Sequence, residues 1–319
     1  MGTRKIRGMS KMGEKSPLQK KPNKYITSLP LLLLALPALL WLLVFHYLPI
    51  FGVVVAFQNF NYRDKFASPF VGFENFEYFF KSSDAFRVIR NTIGYHILFQ
   101  LVSMLLGIII ALLMYEINSK GALKFFQTTM AMPSNISWVI MAYIVYAFLN
   151  YKSGILNSVI TNLGGEAIAW YNEPKYWPFI LTVTSCWKGV GVGSILYYAT
   201  LTGIDSGLYE AAALDGANRL QQTRYVSIPH LLPIISIMLI TGVAGALGGD
   251  QGLFYQVPKD SSMLYPTTDV LSTYVQRGVL DGNFAITAAV GLFQNIVGLI
   301  LLLTTNGIIK KISPENSML

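Results

Sequence analysis

The sequence predicts an all-α membrane protein with six transmembrane helices and both termini in the cytoplasm. Three observations predict it: an apolar composition, six continuous apolar runs, and a basic surplus confined to one side of those runs. Of 319 residues, 53% are hydrophobic and 13% charged, with mean hydropathy +0.48. A water-facing domain carries about 25% charged residues, so too few charges are present to cover a soluble globule of this size. The apolar content excludes disorder, the chain has no Gly-X-Y period, and Cys186 as the sole cysteine excludes a disulfide framework.

A helix rising about 1.5 Å per residue needs roughly 20 apolar residues to cross a hydrocarbon core of about 30 Å. The chain opens with a basic tail, 1–24, in which Arg4, Lys5, Arg7, Lys11, Lys15, Lys20, Lys21 and Lys24 stand against Glu14 alone. A domain spanning 25–319 then holds the six runs, at 29–51, 92–115, 132–149, 177–200, 231–248 and 284–306. Each is continuous rather than alternating, so helices are expected and not strands. The first is too long for a signal-peptide core and is read as an uncleaved span. The third and fifth are short. Placing the tail in the cytoplasm puts the whole basic surplus on that side, which sets the orientation. Beside an apolar run such a tail signals orientation and lipid affinity rather than nucleic acid.

The stretch 57–91 is crowded with aromatics, among them Phe57, Phe60, Tyr62, Phe66, Phe70, Phe73, Phe76 and Phe79. It reads as an ordered external element, lying at the membrane interface or under a partner. The segment 201–230, between the fourth and fifth spans, has a different grammar. Asp205 is placed to cap a short helix that Gly216 ends, and Asn218 with Gln221 forms a capping box for a second. Pro229 and Pro233 are expected to break the path and start the next span.

In this loop Glu210-Ala211-Ala212-Ala213-Leu214-Asp215-Gly216-Ala217, followed at the matching spacing by Val226-Ser227-Ile228-Pro229, resembles the EAA loop of binding-protein-dependent ABC importer permeases. Phe57-Gln58-Asn59-Phe60-Asn61-Tyr62 and Phe70-Val71-Gly72-Phe73-Glu74-Asn75-Phe76 look like the first external loop of the MalF-type sugar permeases. Trp187-Lys188-Gly189-Val190-Gly191, Leu201-Thr202-Gly203-Ile204-Asp205 and Thr305-Asn306-Gly307 look like the subgroup that takes up oligosaccharides and polysaccharides. The resemblance implies a subunit of the bacterial cytoplasmic membrane forming half of a pore for a carbohydrate. Glu210, Ala211, Ala212, Asp215, Gly216 and Pro229 would then couple it to an ATPase. It implies a second permease, two ATPase subunits that use ATP and Mg, an external solute-binding lipoprotein and a sugar substrate. A permease for a non-sugar solute such as a peptide is the alternative.

Nothing in the sequence points to a catalytic or metal site. His46, His96 and His230 are far apart, no G-x-x-x-x-G-K-[ST] loop is present, and no internal repeat supports a secondary carrier. Gly189-Val190-Gly191-Val192-Gly193 lies inside an apolar run and reads as close helix packing or local unwinding. Lys188 is the one formal charge within the six runs, so it is expected to face the bundle interior or a wet cavity. Two readings stand: a pathway donor, or a packing residue paired with carbonyls or a partner's acid. Thr184, Ser185, Tyr197, Gln294 and Asn295, with Ser194 and Thr241, are the neighbouring polar groups that could meet a sugar.

Overall fold

The computed structural model describes residues 24–312; the basic tail before Lys24 and the last residues lie outside the described part. The chain divides into two units, one ending at Gly52 and one beginning at Val53. The first holds α1 (Lys24–Leu42) and a π turn, Leu43–Tyr47, and the 3-10 turns that follow, Leu48–Phe57, run from it into the second. Leu32–Phe57 is long and apolar enough to cross a membrane.

The second unit opens on the aromatic-rich stretch, which is ordered. Gln58 bridges Phe70, and the Phe57 ring meets those of Phe70, Phe73 and Phe76 at 6.2, 5.4 and 5.5 Å. Asn75 Nδ2 clamps the turn by donating to the carbonyls of Ala56 (2.9 Å) and Gln58 (3.0 Å). Then come α2 (Glu74–Lys81) and α3 (Ser83–Tyr115), the latter capped by Ser82 Oγ. At about 1.5 Å per residue α3 is about 50 Å long, so it overshoots the hydrocarbon core. Its charged first turns lengthen the predicted span by starting it before Thr92.

The third predicted span, 132–149, is not one helix: it begins in a 3-10 turn, only 138–149 of it is α-helical, and a further helix lies before it. α4 (Lys120–Ala131) and α5 (Trp138–Leu149) meet at 100° across a 3-10 turn, Met132–Asn135. Pro133 has no N–H to continue α4, and Ser137 Oγ caps the new helix by accepting from Ile140 N. Among the described residues five helices are long and apolar enough to cross a membrane, or six when this bent pair is counted as one span.

After α6 (Ile155–Asn162), α7 (Trp177–Thr202) packs along α3. Gly107 seats the Tyr197 ring, and Gly191 lies so close to the Met130 carbonyl that a Cβ would overlap it. Within the glycine run of this unbroken helix Gly191 is closely packed, whereas Gly189 and Gly193 face open space. Beyond α8 (Ser206–Leu214) and α9 (Arg219–Gln222), a π turn, Thr223–Ser227, leads into α10 (Ile228–Ala244). The expected break at Pro229 and Pro233 does not occur: Arg219–Val243 is one helical path. Pro229 falls in the first turn of α10, where a missing N–H is tolerated, directly after the wider π turn in which Ile228 N bonds Thr223 O.

The chain closes with α11 (Gln251–Gln256), α12 (Tyr265–Thr268), α13 (Leu271–Leu280) and α14 (Phe284–Ile312). Three apolar clusters hold this unit. Trp177, Leu181, Leu253 and Val257 join α7 to α11; Phe79, Val88, Leu271 and Val290 join α2, α3, α13 and α14; and Ala111, Tyr197, Leu201 and Leu231 join α3, α7 and α10.

Candidate functional site

The loop that turns out of the bundle between α7 and α10 is built from local capping. Asp205 Oδ1 accepts from Gly207 N at 3.0 Å and starts α8. At its end Gly216 N donates to Ala213 O (3.0 Å) and Ala217 N to Ala212 O (2.9 Å), the paired bonds of a glycine-terminated helix. Gly216 has φ +82°, in the left-handed region. Asn218 then receives Gln221 N at 3.0 Å while its own N–H donates to Gln221 Oε1 at 2.8 Å, the expected capping box.

Tyr209 and Arg219 brace this loop against itself and against the end of α3. The Tyr209 hydroxyl lies 2.9 Å from Ser227 Oγ in the π turn, and its ring meets that of Tyr115, at the end of α3, at 5.8 Å. Arg219 pairs with Glu116 at 3.2 Å. The rest faces outwards: Glu210, Ala211, Asp215, Gly216 and Pro229 are exposed, Ala212 is half-buried, and Leu214 is 90% exposed. A rigid knob with a small-residue face is thus tethered at its base and free at its tip.

Within the bundle, a cavity of about 1040 Å³ runs between α3, α7 and α10, with the segment 245–252 forming one wall. Glycines line much of it, and its polar side chains include His96, Gln100, Ser103, Tyr197, Thr241 and Asp250. Gln100 Nε2 donates to Met238 O at 3.2 Å, and its Oε1 fills the space a Cβ at Gly242 would need. His96 Nε2 is buried without a hydrogen-bond partner. His96, Gln100 and Ser103 recur at helical spacing along one face of α3, which is the signal that would have found them in the sequence.

The predicted pathway residues divide. Tyr197 lines the cavity, and the Gln294 amide lies beside Gly248 on its wall. Thr184 is buried and donates to Ile180 O within α7 at 2.7 Å. Ser185 is half-buried, and Asn295 is exposed on α14. Lys188 points to the α4/α5 break: its ammonium donates to Ser134 O (2.9 Å) and Ile136 O, and lies 5.0 Å from the Trp138 ring centroid. Trp138 in turn packs against Gly252, where a Cβ would overlap its ring.

A charge cluster invisible to sequence reading ties α3 to α13 at the end away from α8. Asp269, 1% exposed, accepts from Arg87 (2.9 Å) and Thr273 (2.9 Å) and pairs with Arg277 at 2.6 Å. Arg277 also reaches Asp260 at 3.3 Å and lies over the Tyr265 ring at 4.2 Å. Burial works against the Arg277 charge, but the hydrogen bond and charge of Asp269 outweigh it and raise its pKa. Arg277 and Tyr265 hold Asp260, which with Lys259 forms two consecutive non-glycine residues at φ +45° and +57°.

Helices that leave a wide glycine-lined cavity between them, with a pinned two-helix knob at one end, define a multi-pass membrane permease. The chain belongs to the family described as binding-protein-dependent transport system inner membrane component, which it matches over residues 103–250. It is 33% identical over 288 residues to Protein LplB of Bacillus subtilis (strain 168), covering 89% of this chain and 90% of that protein. To the polygalacturonan/rhamnogalacturonan transport system permease protein YteP of the same organism it is 30% identical over 294 residues, covering 92% and 91%. Its fold matches the crystal structure of a bacterial ABC transporter involved in the import of the acidic polysaccharide alginate. That match has TM-score 0.83 and 30% identity, over 90% of this chain and 97% of the other. A second alginate ABC transporter structure, in complex with an alginate pentasaccharide-bound periplasmic protein, matches with TM-score 0.82 at the same identity.

Proposed function

We propose that this chain is one of two membrane subunits of an ATP-driven importer in the bacterial cytoplasmic membrane, forming half of the pathway for an oligosaccharide. The observation that carries the reading is the tethered α8–Gly216–α9 knob, whose exposed Glu210–Gly216 surface suits a cleft on an ATPase subunit. The named carbohydrate permeases among the relatives support a sugar rather than the peptide alternative. In this reading both termini and the knob face the cytoplasm, and a solute-binding lipoprotein delivers the sugar from outside. The ATPase partners bind ATP and Mg, and this chain performs no catalysis and holds no nucleic acid.

ATP then favours one state of the pore, and the knob transmits that preference to α3 and α10 through Tyr209 and Arg219. A rigid element transmits a push that a flexible loop would absorb. Tyr197 and Gln294, with the cavity's Gln100 and Thr241, are assigned to the sugar; Lys188 is assigned to the α4/α5 bend. The test is uptake of radiolabelled sugars and peptides by a strain lacking this subunit. Return of saccharide uptake with the wild-type chain is expected, and return of peptide uptake alone would overturn the reading.

A further inference from the structure

Where α5 ends, at the end of the bundle away from α8, a second pocket of about 490 Å³ is lined by Tyr146, Tyr151, Trp170 and Tyr171 together with Asn150 and Lys152. Its walls are held from behind. The buried Asn157 donates from Nδ2 to the carbonyls of Tyr151 (3.1 Å) and Ile168 (2.9 Å), and its Oδ1 accepts from Ile168 N and Trp170 Nε1, both at 3.0 Å. The Tyr171 hydroxyl donates to Val257 O at 3.3 Å, and its ring meets Tyr146 edge-on at 5.5 Å. Four aromatic rings thus surround a space whose backbone is already fixed, the arrangement expected of a preformed ligand pocket.

The charges around it restrict the guest. The Lys259 ammonium already lies over the Tyr146 ring, 3.1 Å from its centroid. Lys152 takes part in none of the ion pairs among the described residues. Aromatic cages commonly hold cations, but Lys152 on the lining disfavours one, and Lys259 already lies over the Tyr146 ring. A pyranose ring fits instead: its C–H face packs on the negative face of an aromatic ring, and its hydroxyls meet amides such as Asn150 and Asn172 at the rim.

We propose that this pocket is an outer subsite for one pyranose unit, with a carboxylated unit preferred because its anion faces Lys152. The proposal rests on the carbohydrate reading of the chain. It adds a resting place at the mouth, separate from the cavity between α3, α7 and α10.

Saturation-transfer NMR on the assembled transporter, without nucleotide or binding protein, tests it with digalacturonate, cellobiose and choline as probes. Ring C–H signals are expected from digalacturonate and, more weakly, from cellobiose, with none from choline. Tyr151→Ala, at an exposed position that leaves the Asn157 bonds in place, is expected to weaken binding of both sugars by up to about tenfold. Lys152→Gln is expected to remove only the preference for digalacturonate. A choline signal, no sugar signal, or sugar signals unchanged by both substitutions would overturn the subsite. If the wild-type chain supports sugar uptake while these results fail, the subsite alone is wrong; if sugar uptake also fails, the carbohydrate reading is wrong.

Discussion

Gly216 concentrates the demands of the proposed coupling knob in one backbone angle. Open space surrounds it, so a side chain there meets no neighbour; the constraint is φ +82°. A non-glycine residue in that region costs roughly 1–2 kcal/mol, with Asn tolerated best. We therefore expect Gly216→Asn to keep most uptake and Gly216→Ala to lower it. Gly216→Asp adds a negative charge to the negative end of α8, beside Asp215, and is expected to abolish uptake with normal amounts of membrane-inserted protein. Uptake assays with immunoblots of the membrane fraction check the series, and full activity of the Asp variant would refute the role. Asp269 is the contrasting residue. Replacing it with Asn leaves Arg87 and Arg277 without their shared anion, a loss of about 3–5 kcal/mol. A clear drop in the melting temperature of the purified complex is expected, and an unchanged melt would contradict the cluster's structural weight. Gly216 was legible in the sequence because a glycine between two capped helices signals a turn by itself. Asp269 was not, because its partners on α3 lie far away in the chain and only folding brings them together.

At the scale of elements, the bend between α4 and α5 shows what apolar periodicity cannot register. The run 132–149 reads as a whole span, but it opens on the bend itself: Pro133 and the Ser137 cap turn the chain through 100°, so α5 is its only α-helix and α4 lies before it. A helix break leaves carbonyls without helical donors, and Lys188 supplies them at Ser134 and Ile136. The lone charge in the six runs was thus readable as significant, but its partner lay on an element whose shape the sequence concealed. Lys188→Met strands those carbonyls at about 1–3 kcal/mol each, so the expected result is less assembled complex and a lower melting temperature. Normal assembly with an altered choice of sugar would instead place Lys188 in the pathway. The capped helices α8 and α9 were predicted closely because their signals are local. The path into α10 was not, because the π turn that accommodates Pro229 has no sequence signature of its own.

For the whole molecule, the exposed apolar faces follow from what surrounds it. Leu101, Leu105 and Leu113 along α3 are more than half exposed, as befits an apolar helix face turned to lipid rather than to its own core. The six-span plan was readable from composition and run length because burial in lipid demands continuous apolar helices. The cavity was not, because its walls come from four separate segments and are defined by glycines, which leave no positive mark. The central claim is that the α8 knob faces the cytoplasm and docks on the ATPase. A photo-crosslinking residue at Leu214, 90% exposed on the knob, and another at Leu163, 83% exposed at the opposite end, test it in the assembled complex. The account predicts an adduct with the ATPase subunit from position 214 and none from 163; an adduct from 163, or none from 214, would contradict it.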